Sequence, residues 1–352
     1  MTKTLVHLIT SLEGGGTEIF LWHLLKYAPK NLAQRVFYLK KDGVIGERIR
    51  ALNIPVQKVD SRLLWQELRK NTPDVLHTCL YRAHQLGRVF GRMAGIKRIV
   101  SSQRAIDSWQ KPWHVYVDAF TLPFCDDVVV NSSAAEKLVR GRIGPRATPR
   151  ITKILNGVDL QRFMPGDRIA ARRVLGLPEE APIGGSLMRL HAEKGADYIV
   201  PFAEKIFALN PSLHLVVGGV GPMEMRLKQQ TQNKPWSHRL HWAGWIENTP
   251  VFYAALDFFW LLSREESFPQ SLLEASVMGI PWIAPEIGGV PDLISAGAPG
   301  QTYRAKDIRQ AADLALNISQ NQLLRTPFNR ETFSLNFAIE KKVAQFYDGI
   351  SL

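Results

Sequence analysis

The sequence predicts an α/β protein of two doubly wound, Rossmann-like domains, and three observations carry that expectation. Its 352 residues exceed what a single domain of ordinary size organises around one core. Short, almost wholly apolar runs alternate with helix-like stretches, the pattern of parallel strands covered on both faces by crossover helices. The alternation stops once, between Asn156 and Pro182, where an Asn156-Gly157 turn, prolines and a charged helix-like piece read as an interdomain connection.

In chain order, strands are expected at 4–9, 36–39, 75–77, 98–101, 128–130 and 151–155, with helices between them such as 18–27, 83–94 and 133–140. After the connection, strands are expected at 183–187, 214–217, 240–242, 256–262 and 282–284, each followed by a helix, and the chain closes on a helix over 333–346. The run 256–262 is nearly all apolar, as a fully buried parallel strand would be, and Pro269 suits the first turn of the helix that follows.

Hydrophobic residues make up 45% of the chain and charged residues 22%, the composition of an ordinary globular protein. Residues 1–10 read as a good first strand and a poor leader peptide, and no apolar stretch approaches the roughly 20 residues of a membrane span. Cys79 and Cys125 lie in unrelated segments, which suggests buried, unpaired thiols in a reducing compartment. No Cys/His cluster has metal-ligand spacing, and His7, His77 and His191 read as structural. The net charge of +12 is uneven: residues 1–150 carry 24 Lys+Arg against 12 Asp+Glu, residues 151–352 carry 20 against 20. Such asymmetry fits a first half that meets an anionic surface, whether a membrane leaflet, a phosphorylated lipid or nucleic acid, or else a basic face that only keeps the protein soluble.

Glu266 and Glu274 stand eight positions apart around a strand-to-helix junction. That spacing puts Glu266 in the loop at a strand's carboxyl end, where open α/β sheets bind ligands, and Glu274 about a turn and a half into the helix. The free N–H groups of the helix start favour a phosphate. The residues alone also allow a plainer reading, a solvated loop glutamate and a helix-dipole partner. Gly14-Gly15-Gly16-Thr17-Glu18 opens the first helix, where glycines let backbone approach a ligand, though the spacing is not that of a dinucleotide fingerprint. Arg189 and Lys194, five apart in one loop, are able to converge on a diphosphate. Gly218-Gly219-Val220-Gly221-Pro222 is another strand-to-helix turn, and no Asp-x-Asp motif occurs.

Taken together, these words resemble the signature of the large family 4 of retaining glycosyltransferases, bacterial group 1 enzymes of polysaccharide and lipopolysaccharide synthesis. The matching segments are Glu266 to Ala275 with Gly279, Pro281 and Gly288-Gly289-Val290-Pro291; Arg189-Leu190 with Lys194-Gly195; and the Gly15, Gly16 and Glu18 loop. The resemblance implies the GT-B fold, two Rossmann-like domains facing across a cleft: 1–162 for the acceptor, 163–332 for the nucleotide sugar, and a closing helix in 333–352 that crosses back. It implies that Glu266 contacts the donor sugar and Glu274 the ribose, with Arg189 and Lys194 on the diphosphate. Gly219, Pro269, Gln270 and Ser271 would cradle the nucleotide, Trp245 and Ile246 would meet the base through backbone, and Gly15 and Gly16 would line the cleft. Two departures stand out: Met188 replaces the usual glycine before Arg189, and Arg104 occupies a position where many relatives carry a sugar-contacting His.

The implied reaction is metal-independent and cofactor-free transfer from a nucleotide-diphosphate sugar, uridine-linked, to a lipid-linked or lipopolysaccharide-type acceptor. The basic first half would lie against the anionic inner membrane surface of a cytoplasmic protein. A nucleotide-sugar epimerase shares the architecture, and a sugar-binding relative without activity would lose the four charged residues that are intact here. A nucleic-acid-binding protein is suggested only by the basic pI of about 9.7, without any binding motif. Trp109, Trp113, Tyr116 and Phe120 fall on one helix face by spacing, as a core-facing stripe or as an interfacial surface beside Lys111.

Overall fold

The computed structural model describes residues 3–143, 149–320 and 329–350. The chain divides into two units, 1–157 with 339–352, and 158–338. Among the described residues the first unit holds a seven-stranded parallel sheet of β1 (Lys3–Ile9), β2 (Leu32–Tyr38), β3 (Val56–Lys58), β4 (Val75–Cys79), β5 (Arg98–Gln103), β6 (Asp127–Val130) and β7 (Arg150–Lys153). Their order is β3-β2-β1-β4-β5-β6-β7, so the winding reverses between β1 and β4. The second unit repeats the plan with β8 (Ile183–Leu187), β9 (His214–Gly218), β10 (Leu240–Gly244), β11 (Phe258–Trp260), β12 (Trp282–Pro285) and β13 (Gly300–Tyr303) in the order β10-β9-β8-β11-β12-β13. Its reversal lies between β8 and β11, and a reversal is where a doubly wound sheet opens a crevice at its carboxyl edge.

Three expectations need correction. β3 and β13 were not expected, because both are short edge strands carrying polar residues and lack a buried apolar run. The strand expected over 256–262 is shortened to Phe258–Trp260; just before it the Asp257 carboxylate accepts the amide of Ile183 at 2.7 Å and pairs with Arg172. The closing helix is two: Arg330–Phe337, in the second unit, and Ile339–Gly349, in the first. Ala338 between them is extended (φ −53°, ψ 130°), and Val158 donates to the Phe337 carbonyl at 2.8 Å. The expected boundaries at 162 and 333 therefore differ from observed ones after Gly157 and Ala338.

The helix Ile339–Gly349 is held by apolar burial: Ile339, Val343, Phe346 and Tyr347 pack with Leu5, Phe20, Val75 and Val100. Beneath it runs a buried polar chain. His7 Nε2 contacts Gln34 Oε1 at 3.0 Å, His7 Nδ1 contacts His77 Nδ1 at 2.8 Å, and His77 Nε2 contacts Ser102 Oγ at 2.7 Å. Burial disfavours the charged form of both imidazoles, and with both neutral and Gln34 accepting, Ser102 donates to His77, His77 to His7, and His7 to Gln34. Burial pushes His7 down to about 4 and His84 to about 3. Lowered folded-state values mean that the unfolded chain binds more protons below pH 6.5, so stability present at neutral pH is lost as pH falls. Denaturant titrations between pH 7 and 4 should show the first unit losing on the order of 3 kcal/mol from His7 alone, and a flat profile would contradict the neutral chain.

Candidate functional site

The second unit gathers its functional side chains at the carboxyl edge of its sheet. β8 runs into Met188–Gly195 and β11 into Leu261–Pro269, so Lys194 and Glu266 leave the two strands that flank the reversal. Lys194 Nζ donates to Glu266 Oε1 at 2.7 Å, and Ser263 Oγ donates to the same oxygen at 2.7 Å. The Glu266 side chain is 9% exposed, and that of Lys194 30%. Arg264 clamps the two loops together: its amide donates to the Glu193 carbonyl at 3.0 Å, and its guanidinium forks onto Asp197 while also donating to the Ala192 carbonyl and Tyr198 Oη. The Lys194 turn is thereby fixed against the Glu266 loop.

Arg189 does not join Lys194. It is exposed and donates to Glu193 Oε2 at 3.0 Å. Each cation thus has its own carboxylate in place of the expected direct convergence. Met188 costs the loop nothing: non-glycine residues with left-handed backbone among those described are Asn53, Leu80, Asp107 and Lys306, so position 188 does not require glycine. The requirement lies at Gly219 (φ +117°), where a Cβ would collide with the Met188 carbonyl oxygen. Gly219 donates to the Gly244 carbonyl at 2.6 Å, which joins the ends of β9 and β10, and Ile246 lies against Gly218. Trp245, beside it, is exposed.

Pro269 occupies the N-cap position of the helix Gln270–Val277, one residue earlier than the first turn expected for it. The N–H groups of Leu272 and Leu273 donate to the Pro269 carbonyl at 3.2 and 3.3 Å, and the amides of Gln270 and Ser271 precede them at the positive end of the helix dipole. Glu274 lies one turn further on, partly buried, and Tyr253 donates to its Oε2 at 2.9 Å. Burial pushes the Glu274 carboxyl up to about 7, offset in part by Tyr253, by the charge of Arg162 and by Gln270. The Gly288-Gly289 turn packs directly on the Glu266 loop: Gly288 has φ +56°, and a Cβ there would strike the Glu266 carbonyl oxygen. Sequence reasoning missed Tyr253, Ser263 and Arg264. Only Arg264 carries a sequence signal, a lone cation beside an acidic pair, and it does not name Asp197 as partner.

In the first unit Gly15 is the N-cap of the helix Gly16–Lys26. Glu18 curls back on that start: its carboxylate accepts from the Gly15 and Glu18 amides, and a Cβ on Gly15 would lie 2.6 Å from Glu18 Oε2. This is the acidic half of a capping box, which gives the glycine-rich loop a structural reason of its own. Arg104 is buried, donates from Nη2 to Asn156 Oδ1 and lies 3.4 Å from the Phe20 ring centroid. Its Nη1 is buried without a hydrogen-bond partner. Burial lowers the guanidinium to about 9, which leaves it charged at neutral pH. The stripe 109–120 is no core face: Trp109 precedes the helix Pro112–Thr121, and Trp113, Tyr116 and Phe120 are exposed. Among the described residues no group of three His, Cys, Asp or Glu side chains is placed to hold a metal ion.

Family models match both units in turn: Glycosyltransferase Family 4 over residues 14–162 and Glycosyl transferases group 1 over 167–333. The chain belongs to the group 1 glycosyltransferases. It is 28% identical over 271 residues to the lipopolysaccharide core biosynthesis mannosyltransferase LpsB of Rhizobium meliloti, covering 71% of each chain. It is 26% identical over 300 residues to the UDP-Gal:alpha-D-GlcNAc-diphosphoundecaprenol alpha-1,3-galactosyltransferase of Escherichia coli, covering 81% of this chain and 77% of that one. Against other curated relatives, D-inositol 3-phosphate glycosyltransferases among them, the chain spans about half of their length. The Anabaena protein Alr3699/HepE, solved in complex with UDP, superposes with a TM-score of 0.87 over 99% of both chains at 19% identity. This group 1 glycosyltransferase therefore has the GT-B fold expected for it.

Proposed function

We propose that this glycosyltransferase is a retaining, metal-independent enzyme that moves a sugar from a uridine-diphosphate donor to a lipid-linked or lipopolysaccharide-type acceptor. The observation that carries the reading is the Lys194–Glu266 pair at the reversal of the second sheet, with Glu274 one helix turn beyond. Glu274 would accept ribose hydroxyls and Glu266 a hydroxyl of the transferred sugar. Lys194, Arg189 and the amides of Gln270 and Ser271 would hold the diphosphate. As the bond between the sugar's anomeric carbon and the phosphate oxygen breaks, the electron pair goes to the diphosphate, and these cations and dipoles stabilise the growing charge. The acceptor hydroxyl bonds to the anomeric carbon from the same face and gives its proton to the departing phosphate.

In the first unit the buried, unpartnered Nη1 of Arg104 would suit an oxygen of a sugar or phosphate held by that unit. The uridine donor is supported by the name of one relative, which pairs UDP-Gal with a diphosphoundecaprenol-linked acceptor, and the acceptor class also by that of another, a mannosyltransferase of lipopolysaccharide core biosynthesis. A place on the cytoplasmic face of a membrane fits that acceptor class; no described helix is long and apolar enough to cross the membrane itself. A panel of nucleotide sugars in EDTA should raise the melting temperature selectively, because a ligand of the native state stabilises according to its affinity. Stabilisation by uridine-linked donors is expected. Stabilisation only when a divalent cation is added, or donor conversion without any acceptor, would contradict the reading.

A further inference from the structure

The helix Pro112–Thr121 is built with its polar side inward. Asp118 is buried and takes the guanidinium of Arg88 at 2.6 Å and that of Arg142 at 2.8 Å, while Gln85 donates to the same carboxylate at 2.9 Å. Thr121 Oγ1 donates to Gln85 Oε1 at 2.6 Å. The outward side is apolar: Trp113 is 56% exposed, Tyr116 76%, Phe120 74% and Val117 38%. These four stand three, four and seven positions apart, so they share one face. Trp109 extends the patch from the preceding loop, its ring 5.0 Å from that of His114, which stacks on Trp113 at 3.4 Å.

An inverted helix of this kind spends desolvation on ions inside and leaves aromatic area in water outside. It makes sense when the outer face meets an apolar medium. Trp and Tyr have an apolar body and a polar tip, the chemistry of the headgroup boundary of a bilayer. Charge selects the occupant: exposed Lys111 stands between Trp109 and Trp113, exposed Arg82 follows Tyr81, whose ring packs edge-on against Trp109 and His114, and the whole excess of +12 lies in residues 1–150.

We propose that the Pro112–Thr121 face docks the protein on an anionic lipid surface, with Trp113, Tyr116 and Phe120 at the headgroup–acyl boundary. This rests on the membrane-linked acceptor proposed above and names the element that reaches it. The test uses the full chain, vesicles of phosphatidylcholine with about 30% phosphatidylglycerol, and vesicles of phosphatidylcholine alone. Wild type is expected to sediment with the anionic vesicles at low salt and to be released as salt rises. The triple variant W113S/Y116S/F120S should bind them about tenfold more weakly or less, with an unchanged melting temperature and unchanged uridine diphosphate binding. Lys111→Glu should weaken binding to anionic vesicles only.

Vesicle binding of the triple variant equal to wild type overturns the proposal. So does a wild-type dimer in sedimentation equilibrium that the triple variant converts to monomer, since the face is then covered by a second copy. Nucleotide binding on the same preparations separates the two readings. Protein that binds vesicles but no uridine diphosphate sinks the donor assignment and leaves the docking face; the reverse sinks the docking face alone.

Discussion

Lys194→Ala is expected to lower kcat by about 10²–10³-fold, the loss typical of one preorganised group aimed at developing charge. Lys194 is held on Glu266 at 2.7 Å before any donor arrives, and its loop is locked by Arg264. Its ammonium is therefore positioned in advance, and its worth appears when the diphosphate takes up negative charge. Glu266→Ala should lose a similar factor, because it removes both the proposed sugar contact and the partner that aims Lys194. Arg189→Ala should cost less, since Arg189 is exposed and tied to Glu193 in water of high dielectric. Steady-state rates with one donor and one acceptor give all three. Near wild-type turnover in both Lys194→Ala and Glu266→Ala would remove the site from this loop pair.

The second large effect concerns Glu274 and pH. Burial holds its carboxyl near 7 against an ordinary 4.5. A ribose hydroxyl donates best to the ionised form, so nucleotide affinity should fall about tenfold per unit as pH drops below 7, and Glu274→Gln should abolish that slope at lower affinity throughout. Stability moves oppositely. A folded-state value above the unfolded one means stability is complete below pH 4.5 and lost as pH rises through 7. The second unit should accordingly weaken by on the order of 3 kcal/mol between pH 4.5 and 8, and Glu274→Gln should remove that decline. The His7 chain gives the first unit the opposite trend across the range 6.5 to 4, so acidification weakens one unit while it strengthens the other. Calorimetry at several pH values resolves the two; parallel shifts would contradict both assignments.

The alternation of buried strands and helices was legible because parallel strands covered on both faces are short uncharged runs buried nearly end to end, as Ile183–Leu187 and Val75–Cys79 are. Edge strands lack that mark, which is why Val56–Lys58 and Gly300–Tyr303 went unread. The break at Ala338 is invisible for another reason: alanine favours helix, and the extended backbone there is imposed by pairing with Val158, 180 residues earlier. Glu266 and Glu274 could be singled out because Pro269 marks the helix start between them. Their partners could not, since the Lys194–Glu266 pair depends on β8 lying beside β11, a matter of strand order. Tyr253, which donates to Glu274, reads in sequence as an ordinary core aromatic. The aromatic stripe misled in the other direction: helical spacing shows that Trp113, Tyr116 and Phe120 share a face, and only the ion pairs of Asp118 show which way that face points.

The central claim, that the β8 and β11 loops hold a nucleotide diphosphate without a metal, is tested most directly by calorimetric titration of uridine diphosphate in EDTA into wild type and Lys194→Ala. Saturable binding to wild type, weakened about tenfold or more in the variant, is the expected result. Equal affinity in the two proteins, or wild-type binding that appears only with a divalent cation, would contradict it.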